Sequence, residues 1–435
     1  MASSGENLVS QVARLEEENQ RLRKAVDELS ILNELARVIS STMSLDAVIE
    51  NIVKRSMRAV HAEQGVITLV DRHSGESMKT LVRAMVESHK QQSFHLNQSL
   101  LGWMHLNMKP ILIKDPKNDE RFRGVKWEES VQSLLSVPMM TKGALIGLLT
   151  VYNKKDGMNF TDDDQRLLAI IAAQSAQVVE NARLYEEEKA LHQMEEEIRL
   201  ASRIQTELLP KNPPAIKGYD IAGNSLPAKV VGGDYYDFIP IDDHRWAICL
   251  GDVSGKGLPA SLLMANLQAT LRGQTLLDIA PKECLRRSNT LLFRSTTSDK
   301  FATLFYGILD VSLHTLCFSN AGHDHPILLT QGEEPLRLKT GGIVLSVFES
   351  FPYEEEVISL KPNDLLLLYT DGVTEAMNST LDQFGEERLQ DLLIENKAAS
   401  ANELVEKIIA AVKQHAGSFP QSDDITLVVL KRTAE

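Results

Sequence analysis

Four short segments set an aspartate beside glycine or a second acid where an apolar run ends: VVGGDYYDF with Asp234 and Asp237, CLGDVSGKGLPA with Asp252, LLLLYTDGVTEA with Asp371, and FPQSDDITLVVL with Asp423 and Asp424. A carboxylate at a strand end is held rigidly in a mouth, and adjacent glycine gives the backbone room to present carbonyls or waters. Several such oxygens brought together repel one another unless cations join them. Hard divalent ions such as magnesium or manganese suit an all-oxygen site. Two ions roughly 3.5 to 4 Å apart, bridged by aspartates, acidify bound water and orient a phosphoryl oxygen, which is phosphomonoester hydrolysis without a covalent nucleophile. Taken singly, each motif also reads as an ordinary turn, since Asp-Gly and GGD are common loop ends. The fourfold recurrence carries the expectation.

Two rival chemistries are absent from the pattern. The twelve-residue acidic loop of an EF-hand does not occur. GDVSGKG superficially suggests a phosphate-cradling loop, but Lys256 is followed by Gly257, so the G-x-x-x-x-G-K-[ST] arrangement is missing. Lys256 reads either as a point charge approaching a substrate phosphate or as a solvated lysine.

The acids need strands to hold them, and the C-terminal half supplies the runs RWAICLGDV, ATLFYGILDV, HTLCFSNAG, PILLT, EEVISL, DLLLLYTDG and DITLVVLKR. Helical stretches fit at about 258 to 294 and 384 to 415. Many β runs with few long crossovers predict a layered, largely antiparallel α/β domain. Upstream, Leu8, Leu15, Leu22 and Leu29 recur every seven residues, with Val12, Asn19, Val26 and Asn33 at the complementary position. That is a short coiled coil, and an amide at Asn19 would fix register in a parallel homodimer; a single amphipathic helix packed on its own chain fits the same pattern. From about Leu45 to Glu180, LDAVIENIVKRSMRAV reads as a helix. GVITLVDR, KPILIKD and two runs joined through Lys142 and Gly143 read as strands, and the simplest packing is a sheet with helices on one side. From Thr161 no Pro or Gly occurs before Pro210, which predicts a helix of about 70 Å, with Thr161 capping it, acting as a signalling connector or a solvated spacer.

The chain has 435 residues, 43% hydrophobic and 24% charged, and a formal charge of -14. That length favours several domains. The acidic balance, with no dense basic block, argues against nucleic acid as a partner. No apolar run reaches the roughly 18 to 20 residues of a membrane span, and the N-terminus lacks a basic region followed by an apolar stretch, so the expected location is cytoplasmic with no membrane insertion. Cys249, Cys284 and Cys317 are widely spaced and suit core packing in a reduced compartment, with no zinc or disulfide role.

With these motifs in order, PAKVVGGDYYDF, GDVSGKGLPASLLM, FATLFYGILD, NAGHDHPILL, YTDGVTEAMN and DDITLVVLKR resemble the signature of the bacterial SpoIIE/RsbU branch of PPM (PP2C-like) phosphatases over about residues 200 to 432. The resemblance implies a β-sandwich flanked by helices, two divalent cations (Mn2+ or Mg2+) in its mouth, and dephosphorylation of phosphoserine or phosphothreonine proteins. It makes Asp234 and Asp252 the central ligands, joined by the Val253 carbonyl. Asp371 and Asp423 complete the metal and catalytic set. Asp424 and Asp237 stand behind them, and Gly232, Gly233 and Gly372 give the loops room. After Asp252 come Val253 and Ser254, so the Gly and His of the eukaryotic-like pattern are absent and no histidine general acid carries over. His323 and His325, in the NAGH-like segment, read as structural or substrate-side.

LLSVPMMTKGALIGLLTVYNKK and NFTDDDQRLLAIIAAQSAQVVENARLYEE resemble a GAF domain over about 30 to 182. Such domains bind cyclic nucleotides, other small ligands or chromophores, or mainly dimerise. No Cys precedes Cys249, which disfavours a thioether-linked bilin; His61, His73, His89, His95 and His105 leave haem open. The expected organisation is multidomain α+β: coiled coil at 1–32, GAF-like sensory domain at 33–180, helical linker at 181–210 and phosphatase at 211–435. The resemblance implies a substrate that is a phosphorylated regulatory protein, an anti-anti-sigma factor of the STAS type; the heptads point to a homodimer, the long helix before Pro210 to GAF control, and a small-molecule ligand of the GAF unit is one of the options left open. The alternative is a degenerate domain serving as a phosphoprotein-binding or dimerisation scaffold.

Overall fold

The computed structural model describes Arg14 and residues 44–70, 81–86, 98–123, 125, 127–155, 157–297 and 299–434. The heptads of the expected coiled coil, and with them His73, His89 and His95, lie outside the described residues. Contacts divide the chain into two compact units, Met1–Gln193 and Met194–Glu435.

In the first unit, helix α1 (Leu45–Ala59) opens at Ser44, whose hydroxyl accepts from the Ala47 amide. Strands β1 (Ala62–Leu69) and β2 (Leu81–Val86), helix α2 (Gln98–Asn107), and strands β3 (Ile111–Ile113), β4 (Leu134–Thr141) and β5 (Ala144–Lys154) follow. They form one antiparallel sheet in the order β2-β1-β5-β4-β3. The β4–β5 turn places Lys142 and Gly143 at φ of 48° and 80°, the paired left-handed conformation of a tight hairpin. Helix α3 (Asp162–Leu208) starts with a reciprocal cap: the Asp164 amide donates to the Thr161 hydroxyl, and the Thr161 amide donates to Asp164 Oδ2 at 2.7 Å.

One sheet face is covered by α1 and the start of α3, through Ile49, Val53, Leu168 and Ile171. The opposite face is also covered, by Leu100 and Met104 of α2 with Phe122 and Val131, which corrects the expectation of helices on one side only. The reason is in β5, where every residue from Leu145 to Asn153 is buried, so both alternating faces need an apolar neighbour. Helix α3 runs without interruption to Leu208. Its burial in the first core ends at Val179, and Leu184, Leu191, Met194, Leu200 and Ile204 beyond it are exposed.

The second unit contains β6 (Tyr219–Leu226), β7 (Tyr235–Pro240), β8 (Arg245–Val253), α4 (Leu258–Thr275), α5 (Pro281–Ser295), β9 (Ala302–Asp310), β10 (Thr315–Ala321), β11 (Ile327–Leu329), β12 (Leu336–Arg337), β13 (Gly341–Gly342), β14 (Glu356–Ser359), β15 (Leu365–Tyr369), α6 (Asp371–Thr374), α7 (Glu386–Glu395), α8 (Ala401–Ala416) and β16 (Ile425–Arg432). Each expected long helix is two helices. Pro281 opens α5 after an extended Ala280, and Ser400 with Glu403 forms a capping box that restarts the chain as α8.

Two sheets stack. One has the order β13-β10-β9-β8-β7 with β14 beside β10; the other has the order β12-β11-β15-β16-β6. Between them lie Tyr236, Phe238, Leu250, Phe305, Phe318, Leu366, Leu368 and Val428. Helices α4 and α5 cover the outer face of the first sheet through Met264, Leu267 and Leu285. Helices α7 and α8 cover the second through Leu389, Leu404 and Ile408. The result is a β-sandwich flanked by helices, four layers in which alternate residues of each central strand feed two different cores.

Strand alternation also places Asp237. Its side chain points to the helix layer and is 1% exposed. It accepts from Tyr235 Oη at 2.7 Å and from Arg272 Nε of α4 at 2.7 Å. Removing the guanidinium strands a buried charge, which costs about 3–5 kcal/mol when both partners are buried. Because the Arg272 side chain is 51% exposed, we predict that Arg272→Ala lowers stability by about 2–3 kcal/mol. Urea denaturation of the variant checks this, and an unchanged midpoint contradicts it.

Candidate active site at the ends of the two sheets

The principal acids come from both sheets at one end of the sandwich. Asp234 immediately precedes β7, and Asp252 and Val253 close β8. Asp371 follows β15 as the first residue of α6, and Asp423 and Asp424 lead into β16. In each antiparallel pair the start of one strand lies beside the end of the other, so four acidic loops that are distant in sequence meet at two neighbouring sheet ends.

Three observations show how close they are. Thr370 Oγ1 donates to Asp234 Oδ2 at 2.9 Å, joining the end of β15 to the start of β7. A Cβ added at Gly233 would lie 3.0 Å from the Val253 carbonyl oxygen and 3.1 Å from Asp252 Oδ1. Asp252 is raised to about 7, by burial first and then by the charges of Asp371 and Asp423. Asp234, 4% exposed, is raised well above the carboxylate range by burial and by Asp252. Asp371 is raised by burial, Asp423 and Glu375. Among the described residues, no three such side chains already converge into one coordination sphere. The carboxylates share a field rather than a point.

The structure places Asp424 behind that group as a clamp. Its Oδ1 accepts from the Ala228 amide at 2.7 Å, and its Oδ2 accepts from the Gly233 amide at 2.6 Å. Gly232 and Gly372 are glycines because of this residue: a Cβ on the first would strike the Asp424 carboxylate, and a Cβ on the second would strike its carbonyl. Asp237 stays outside the group, held by Tyr235 and Arg272 as described.

Four residues escaped the sequence reading. Thr370 orients Asp234, a role with no local signature. Gln205, near the end of α3, forms a two-way pair with the backbone of Gly232: Nε2 donates to the carbonyl at 2.6 Å, and the Gly232 amide donates to Oε1 at 3.1 Å. Asp324 is raised to about 6 by burial, Asp371 and Glu386, which places a further carboxylate in electrostatic reach of the mouth. Thr303 donates to the Asp252 carbonyl and meets His323 Nδ1 at 2.9 Å. Burial pushes His323 down to about 3 and so keeps it neutral, and its amide bonds to Asn320 Oδ1, in line with a structural role.

The donor set fits hard cations. Burying a carboxylate costs several kcal/mol, whereas a hydrogen bond to a charged group returns about 1.5–3 kcal/mol. Asp234 has the hydroxyls of Thr370 and Thr426 and no basic side chain among its hydrogen-bond partners. Its remaining compensation must be a proton or a metal ion. A lysine already stands in at the outer edge, where Lys256 Nζ donates to Asp423 Oδ2 at 2.8 Å and is held above its usual range by that contact.

Comparison with known proteins gives a consistent picture. Residues 242–433 match the family described as Stage II sporulation protein E (SpoIIE), and residues 42–180 match the GAF domain family. The chain is 31% identical over 255 residues to phosphoserine phosphatase RsbU of Bacillus subtilis strain 168, covering 57% of this chain and 75% of RsbU. It is 26% identical over 242 residues to phosphoserine phosphatase RsbP of the same organism, covering 54% of this chain and 57% of RsbP. Among solved structures, the SiaA-PP2C domain of Pseudomonas aeruginosa is 24% identical, with 56% of this chain and 98% of that one covered and a TM-score of 0.48.

A raised carboxylate makes a directional prediction. Asp252 ionises near 7 in the fold and near 3.9 in the unfolded chain, so between those values the folded state holds a proton that the unfolded state has released. We predict that the cation-free protein loses stability as pH rises from about 4 to about 7, and that Mn2+ abolishes the loss. Thermal midpoints with EDTA and with Mn2+ across that range check the sign; a midpoint that rises with pH in EDTA contradicts it.

Proposed function

The chain belongs to the SpoIIE/RsbU-type family of metal-dependent PPM (PP2C-like) protein serine/threonine phosphatases and carries a GAF domain ahead of the catalytic unit; from that premise we propose that its mouth dephosphorylates a regulatory phosphoprotein under GAF control. The observation carrying this reading is the meeting of buried Asp234 and half-buried Asp252 from one sheet with Asp371 and Asp423 from the other, without a basic partner for the inner pair. Asp234, Asp252, the Val253 carbonyl, Asp371 and Asp423 are the groups that would hold two divalent cations, Mn2+ or Mg2+. Such ions, when bound, neutralise phosphoryl charge and acidify water. The chain's own residues supply the rest. Thr370 fixes the Asp234 carboxylate, Asp424 holds the 228–234 loop by its amides, and Thr303 braces the Asp252 backbone.

Similarity to the phosphoserine phosphatase RsbU supports a phosphoserine protein as substrate; we extend this to a phosphorylated anti-anti-sigma (STAS) protein and, from the N-terminal heptads, to a homodimeric enzyme. The exposed apolar residues of α3 between Leu184 and Ile204 support a helix-to-helix dimer contact. The case for control by the GAF domain rests on α3 itself. One unbroken helix begins in the core of the GAF unit and ends with Gln205 hydrogen bonded to the Gly232 carbonyl and amide, two residues from Asp234. Near its end, the Leu208 carbonyl accepts from Gln268 of α4, and Leu209 packs into the cores on both faces of the first sheet.

Two tests follow. Asp234→Asn and Asp371→Asn should each reduce Mn2+-dependent phosphate release from a phosphoserine protein by at least about 10²-fold while the circular dichroism spectrum stays native; turnover retained in both variants removes the assignment. Turnover should also fall in sequence from residues 194–435 to residues 211–435, because only the shorter chain lacks Gln205 and Leu209. Equal rates for those two chains and for the full chain, with and without GAF ligands, would remove the case for regulation through α3.

A further inference from the structure

Lys256 is the feature of the mouth that the cation-binding carboxylates do not explain. It sits between β8 and α4, flanked by Gly255 and Gly257 at φ of 101° and 78°, a left-handed pair that turns the chain sharply after the Asp252 strand end. Its ammonium crosses to the other sheet, donating to the Ser422 carbonyl at 2.7 Å and to Asp423 Oδ2 at 2.8 Å. The second Asp423 oxygen is also engaged, accepting from the Asp424 amide at 3.0 Å. Each oxygen of this outer carboxylate thus carries one hydrogen bond, one of them from a side chain that is 46% exposed and able to leave.

A divalent cation binding Asp423 at Oδ2 would repel the ammonium there and compete with it for that oxygen. The stem of Lys256 keeps the displaced charge at the rim, close to where a phosphomonoester would bring a charge of about −1.5 to −2. Lysine suits this exchange because its ammonium is a compact, rotatable point charge, whereas a guanidinium fork would hold the carboxylate in two-point geometry. The helix that follows starts at Gly257 with no side-chain cap, so its first amides add positive potential on the same turn.

We infer that Lys256 is a positioning residue with two alternating partners: Asp423 in the cation-free enzyme, and the phosphoryl group of the substrate once cations take Asp423. This rests on the phosphatase reading of the mouth. Lys256 forms no bond to a reacting atom and transfers no proton; it exchanges one anionic partner for another.

The test uses the full chain and three variants, Lys256→Met, Lys256→Arg and Asp423→Asn. Mn2+ binding is measured by calorimetry on the cation-free proteins, and inorganic phosphate is the competitive inhibitor of phosphopeptide turnover. Lys256→Met should tighten Mn2+ binding about three- to fivefold by removing the internal competitor. It should weaken phosphate inhibition about tenfold, with KM rising more than kcat falls. Lys256→Arg should restore phosphate inhibition toward wild type. Unchanged or weaker Mn2+ binding in Lys256→Met, or unchanged inhibition by phosphate, overturns the proposal. Equal Mn2+ isotherms for wild type and Asp423→Asn would instead bring down the metal-site reading, and the Lys256 assignment with it.

Discussion

Mutual repulsion among carboxylates held out of water is the constraint around which the catalytic unit is built. Buried Asp234 and half-buried Asp252 stand side by side, and Asp371 and Asp423 press on Asp252 from the other sheet. In water each would keep its charge at little cost. In the mouth, the inner pair can stay charged only if hard cations join them, and otherwise protons must.

Holding that arrangement takes a scaffold rigid enough to resist it. Two sheets sharing a core of aromatic and branched side chains fix the strand ends, and each outer face is sealed by its own helices. Loops alone would relax apart. Asp424 prevents this locally by spending its carboxylate on the amides of Ala228 and Gly233, and glycine at 232 and 372 lets the backbones close around it. The acid beside Asp423 is thus the one that sets loop position.

The same logic separates Asp237 from the mouth. It shares the GGDYYD segment with Asp234, yet strand alternation turns it to the helix layer, where Arg272 and Tyr235 satisfy it. It ties the ligand-bearing strand to α4, whose first turn follows the Lys256 loop. The end of α3, which reaches Gly232 through Gln205, and α4, which reaches β7 through Arg272, both bear on the same few residues.

Much of this was legible in the residues. Strand runs ending in Asp and Gly, the turn at Lys142 and Gly143, the cap at Thr161 and the uninterrupted helix to Leu208 are local signals, set by side-chain periodicity and backbone preference over a few positions. The breaks at Pro281 and Ser400 were local too, but periodicity alone ran across them. What only the tertiary structure decided was which distant groups meet: Thr370 on Asp234, Gln205 on Gly232, Lys256 on Asp423, and the second covered face of the GAF sheet. Such contacts depend on how elements separated by 27 to 167 residues are ordered and stacked, and no chemical property of the individual residues encodes that order within a short window. The sequence determined the kinds of atoms available for the chemistry; packing decided which of them stand close enough to act together.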